Sequence, residues 1–147
     1  MGLGHYRMRF IDANPFLRFL TRDDEQNARA CFALFRQLES GEVMATTSES
    51  IVAEIVYVLS SRSVYNLSHT EISQRLQPVL RLSGLKLSRK GVYFRALEVY
   101  ETHQALDFED ALTVAHMEHD GLTELLSYDR DFDRGPEVKR FEPSLSQ

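Results

Sequence analysis

Cysteine is nearly absent from this chain. Cys31 is the only one in 147 residues, so no disulfide framework can form and a zinc site built on several thiolates is excluded. A reducing, cytoplasmic setting is the expectation. Long apolar runs are missing as well. None approaches the roughly 20 residues that a membrane helix needs, and the N-terminus has no apolar core of the signal-peptide type. No membrane partner is expected. Positive charge does not dominate either: 17 Lys and Arg stand against 22 Asp and Glu, a net charge of −5. This argues against a protein that grips nucleic acid across its whole surface. A local basic rim beside an acidic metal site stays compatible, because the ion's own charge must be counted there. There is no internal repeat, linker or low-complexity tract.

What is present suits one domain over residues 1–147, with 1–5 as a loose lead and 142–147 as a tail. Hydrophobic residues make up 43% of the chain, enough for a sizeable core. Tyr6 to Ile11 reads as a strand that ends on Asp12. Asn14 as N-cap and Pro15 as first helical residue then open a helix to Leu20. A second helix runs from Asp23-Asp24-Glu25 to about Glu39 and stops at Ser40-Gly41. Val43 to Thr46 is the second strand. Thr47-Ser48 cap a third helix, from Glu49 to about Ser61. A fourth helix spans about Thr70 to Arg81. Leu85 to Leu87 is a minimal third strand, and Ser88 caps a fifth helix that reaches about Gln104. Asp107 caps a sixth, from Phe108 to about His119. Leu122 to Ser127 is a fourth strand, and Val138 to Phe141 a fifth at the sheet edge. Strands alternating with helices imply an α/β fold whose parallel sheet is covered on both faces.

Four acids occupy notable positions. Asp12 and Asp129 follow strands. Glu54 shares a helical face with Ile51 and Val58, where a carboxylate is costly unless paired, protonated or metal-bound. Asp110 lies in the first turn of helix six. Each has an ordinary account when taken singly: a Glu whose head reaches solvent, a capping box of Asp107 with Asp110, an Asp-rich turn. Taken together they suggest one crevice, because strand ends and helix starts share an edge in a parallel sheet. Clustered carboxylates repel unless a cation holds them. All-oxygen ligands suit Mg²⁺ or Mn²⁺, ions that serve phosphoryl chemistry.

Four segments then resemble PIN-domain proteins, close to the VapC-type toxins of bacterial toxin–antitoxin pairs. They are Phe10-Ile11-Asp12-Ala13-Asn14-Pro15-Phe16-Leu17-Arg18, Thr47-Ser48-Glu49-Ser50-Ile51-Val52-Ala53-Glu54-Ile55, Asp107-Phe108-Glu109-Asp110-Ala111-Leu112 and Leu126-Ser127-Tyr128-Asp129-Arg130-Asp131-Phe132. The resemblance implies a three-layer α/β/α fold with a central parallel sheet of about five strands. It implies Mg²⁺-dependent RNA hydrolysis, with Asp12, Glu54, Asp110 and Asp129 catalytic and Asp12, Asp110 and Asp129 on the metal. Asn14, Thr47, Ser48, Ser127 and Asp131 match supporting positions. Ser127 stands where the family usually has Thr, which keeps the hydroxyl. Pro15 is not the usual residue after the Asn. An antitoxin partner and a homodimer are implied with it.

The arginines Arg18, Arg22, Arg62 and Arg130 could touch phosphates, although any one of them taken singly reads better as solvated surface. His69, His103, His116 and His119 fall away from the acids. Phe32, Phe35, Val56, Tyr57, Val64 and Tyr65 put more apolar surface on helices two to four than one sheet face needs, which suits an antitoxin or a second copy; the alternative is that they are plain core. Two rival functions stand beside the nuclease. A Mg²⁺-dependent phosphatase would want a second Asp where Asn14 stands. A non-catalytic interaction module would have no reason to keep four costly acids.

Overall fold

The structure, a computed structural model, describes residues 7–22 and 25–145. The expected lead 1–5, the strand start at Tyr6, the Asp23-Asp24 helix opening and the last two tail residues lie outside them. The described residues fall into two compact units, one up to Lys90 and one from Gly91.

The first unit runs β1 (Arg9–Phe10), α1 (Ala13–Thr21), α2 (Glu25–Ser40), β2 (Ala45–Thr46), α3 (Glu49–Ser60) and α4 (His69–Leu80). Strands β1 and β2 are parallel, with Arg9 opposite Ala45 and Phe10 opposite Thr46. The expected third strand shrinks to a parallel bridge between Leu85 and Ala45. Aromatic rings join α1 to α2: Phe35 lies 5.3 Å from Phe16 and 4.5 Å from Phe19 between centroids. Phe35 and Val56 are therefore core, a correction to the excess apolar surface expected of them. Tyr57 and Val64 are exposed as expected, at 74% and 57%.

Helix α1 starts two residues earlier than its cap signal suggests. Asp12 takes the N-cap position, so Asn14 and Pro15 are the second and third helical residues. A proline is tolerated anywhere in the first turn, where N–H groups have no intrahelical acceptor. The helix stop at Gly41 holds, with φ +83°, a conformation glycine adopts without strain. Gly84 has a different reason to be glycine. A Cβ there would sit 2.6 Å from the Leu38 carbonyl oxygen, because Gly84 N–H bonds that oxygen at 2.8 Å. The end of α2 and the segment beside β2 meet at this point. Ser68 caps α4 in a full capping box with Glu71.

The second unit carries α5 (Lys90–Thr102, all but its first residue), α6 (Phe108–His119), β3 (Glu124–Leu126), a 3-10 turn (Arg130–Arg134) and β4 (Lys139–Phe141). Helix α5 begins two residues after Ser88, because Arg89 has φ 54° and a left-handed residue cannot continue into the helix. Tyr100 meets Phe108 edge to face, 6.0 Å between centroids, and so joins α5 to α6. Strands β3 and β4 pair in parallel, with Leu125 opposite Arg140. Among the described residues the five expected strands thus appear as two short parallel pairs and one bridge, and not as one five-stranded sheet. Helices make up most of the described chain.

Candidate functional site

The second unit gathers acids at the start of α6 and the end of β3. Asp107 Oδ1 accepts the N–H of Asp110 at 2.8 Å, and Asp110 Oδ2 accepts the N–H of Asp107 at 3.4 Å. This reciprocal box satisfies two donors that the helix leaves unpaired. It also fixes Asp110, half-buried, on the first turn. After β3, Ser127 Oγ accepts the Asp129 N–H at 2.9 Å. Asp129 Oδ1 in turn accepts the Asp131 N–H at 2.9 Å and opens the 3-10 turn. Phe132 is buried and anchors that turn.

These two local structures bring Asp110, Asp129 and Asp131 together. Each offers a carboxylate oxygen, and the three oxygens lie within 4.8 Å of one another. Burial pushes the Asp110 carboxyl up to about 6. The charge of Asp107 adds to this and that of Asp129 adds further, while the Asp107 N–H pulls the other way. The group thus resists ionising beside its neighbours, which is what crowded carboxylates do without a cation. The donor set is hard, anionic and all oxygen. It fits Mg²⁺ or Mn²⁺, with Asp131 a full member where the sequence suggested only a supporting role.

In the first unit, Asp12 is exposed and makes no side-chain cap bond. An N-cap acceptor usually takes the N–H of the second or third helical residue, and here the third is Pro15, which has none. The strand end that presents Asp12 is pinned. Ile11 N–H donates to the Thr46 carbonyl at 2.9 Å, and Thr47 Oγ1 donates to the Ile11 carbonyl at 2.8 Å. Thr47 is buried, and its hydroxyl supports the backbone at the strand end. Ser48 likewise caps α3, accepting the Ile51 N–H at 3.3 Å. Asn14 is exposed on the first turn of α1. Glu54 is exposed too, which corrects its place on a core-facing stripe. The buried stripe of α3 is Val52, Ile55, Val56 and Leu59, and Ile51 and Val58 only flank it. A shift of one or two residues turns a helical side chain by 100–200°, and that suffices to carry Glu54 to the water side.

A family model described as PIN domain matches residues 9–138. The chain belongs to the PIN domain family. A comparison with curated proteins found no match. PIN domains are nuclease-type folds that act on nucleic acid and generally use a divalent metal. The acidic cluster of this PIN domain is compatible with such an ion. No helix among its described residues is long and apolar enough to cross a membrane.

One residue of this PIN domain escaped the sequence reading. Arg140 grips the same turn that carries Asp129 and Asp131, through Ser127 and Asp133. An Arg in an edge strand carries no motif, and its partners on that turn lie 7 and 13 residues away. No local pattern could have found it.

Proposed function

We propose that the protein is a Mg²⁺- or Mn²⁺-dependent endoribonuclease, the toxin of a VapC-type toxin–antitoxin pair. The observation that carries this is the convergence of Asp110, Asp129 and Asp131 within a PIN domain. A divalent ion held there would act as a Lewis acid on the phosphodiester and lower the pKa of bound water. The chain's own contribution is to fix the three carboxylates before any ion arrives. The capping box holds Asp110, and the Ser127–Asp129–Asp131 hydrogen bonds hold the turn. Asp12 and Glu54 are proposed to act in the same reaction, on the strength of the family resemblance. The exposed Tyr57 and Val64 support a protein partner, either an antitoxin or a second copy. A cytoplasmic location belongs to the same proposal.

One observation favours a non-catalytic module. The capping box alone accounts for Asp110 without any ligand. It does not account for Asp129 and Asp131 closing on the same point. The deciding experiment is metal-dependent cleavage of total cellular RNA, with mapping of the new ends. Discrete fragments with Mg²⁺ and none with chelator are expected. Intact RNA under both conditions would leave the non-catalytic module standing.

A further inference from the structure

The turn between β3 and β4 depends on one guanidinium. Arg140 sits in the middle of β4, and its side chain is only 13% exposed. Its Nε and Nη2 donate to the two oxygens of Asp133 at 3.0 and 3.2 Å. Its Nη1 donates to the Ser127 carbonyl at 3.0 Å and to Glu142 Oε2 at 2.9 Å. Two carboxylates thus face one cation, which raises the Arg140 pKa above its ordinary value and lowers that of Asp133. The planar fork is what makes the arrangement possible. A lysine is a point charge and cannot pair with both oxygens of Asp133 while reaching a carbonyl.

The consequence is mechanical. Ser127 and Asp133 are the two ends of the acidic turn, and both are tied to Arg140. The Ser127 backbone is held on both sides by β4, because its N–H also donates to the Phe141 carbonyl at 3.0 Å. From Ser127 the order passes inward. Its hydroxyl oxygen takes the Asp129 N–H, and Asp129 takes the Asp131 N–H. Arg140 lies outside the segment that matches the family, which ends at residue 138.

We propose that Arg140 is a positioning residue that sets the spacing of Asp129 and Asp131, and through it the affinity for the divalent ion. This rests on the metal reading of the acidic cluster. The test is calorimetric titration with Mn²⁺, without RNA, of the wild type, Arg140→Gln, Arg140→Lys and Asp129→Asn, well below each melting temperature. Arg140→Gln is expected to bind Mn²⁺ about 10- to 100-fold more weakly, as for other changes behind a metal ligand. Arg140→Lys should recover part of the loss. In metal-free protein the Asp129 and Asp131 amides should exchange faster in Arg140→Gln, while α5 and α6 amides keep their rates. A merely structural role would lower the melting temperature and leave the Mn²⁺ affinity of folded protein unchanged, and that result would overturn the inference. If Arg140→Gln fails to fold, Asp133→Asn removes the bidentate partner and is judged by the same outcomes. Failure of both to fold would make the group a general stabiliser and also overturn it. Should wild type bind no Mn²⁺, or Asp129→Asn bind equally well, the metal reading falls and the inference with it.

Discussion

The two units carry opposite charge. Residues 1–90 hold 12 Lys and Arg against 9 Asp and Glu, and residues 91–147 hold 5 against 13. The net charges are therefore +3 and −8, which together account for the −5 of the whole chain. The two units also spend their polar side chains differently. In the first, Thr47 and Ser48 bond backbone groups, and Asp12 and Glu54 stand exposed. In the second, three carboxylates share one point, held by a capping box and a guanidinium. The difference teaches where chemistry can be stored in this fold. An acid at a strand end needs only a firm backbone, whereas a cluster of acids needs a fixed hydrogen-bond frame that outweighs its repulsion.

The hardest blow to this comparison compares one acid from each unit. Asp129→Asn is expected to cost more RNA cleavage than the roughly 10- to 100-fold typical of residues that only support a metal ligand. Asp12→Asn is expected to match it, with little effect on folding, because Asn is also a good N-cap and no side-chain cap bond is lost. The readout is RNA cleavage by variants whose melting curves match wild type. Full activity in Asp12→Asn would confine the chemistry to the acidic unit.

The second prediction sharpens the repulsion itself. Asp110 has its folded pKa raised from 3.8 to about 6. An acid raised in this way costs the metal-free fold nothing well below pH 3.8, where it is protonated folded or unfolded. Its penalty grows as pH rises through the unfolded value and is complete above about 6. Mg²⁺ binds the folded form and should offset the loss, by about 2.7 kcal/mol at a concentration a hundred times its dissociation constant. Asp107→Asn keeps a capping side chain but removes a charge, so it should lower the Asp110 pKa and flatten the metal-free pH dependence. Thermal melts at pH 4, 6 and 7.5, with chelator and with Mg²⁺, check each part. Equal Mg²⁺ shifts at all three pH values would detach the ion from Asp110.

The smallest effect belongs to the basic unit. Thr47→Val keeps the shape and removes the hydroxyl that donates to Ile11. Leaving that buried carbonyl without its side-chain donor should cost about 1–3 kcal/mol. Chemical denaturation measures it. Mn²⁺ affinity should stay unchanged, since Thr47 is a support for backbone and not a ligand.

Much of this was legible from short spacings. The caps Ser48 and Asp107 each act three residues ahead, and a three-residue signal is written directly in the chain. The order of helices and strands followed from periodicity, and α6 began at Phe108, directly after its cap Asp107. The pairing of Asp107 with Asp110 could be read because it is local. Asp129 and Asp131 could be named as acids of one turn. That Asp110 would meet them could be expected only through the strand-end rule and the family resemblance.

Other features were decided in three dimensions. The hydroxyl of Thr47 finds the Ile11 carbonyl across 36 residues, and no spacing announces such a bond. Glu54 left its expected stripe because the core chose Val52, Ile55, Val56 and Leu59, a choice set by which face meets other elements. Strands of two or three residues had their partners chosen by packing, since so few ladder bonds specify a register only weakly. Arg140 is the clearest case. The sequence by itself determined the helices, their caps and the acids. Only the tertiary structure put a single cation where four acceptors converge, because a hydrogen bond across a turn depends on where the chain returns.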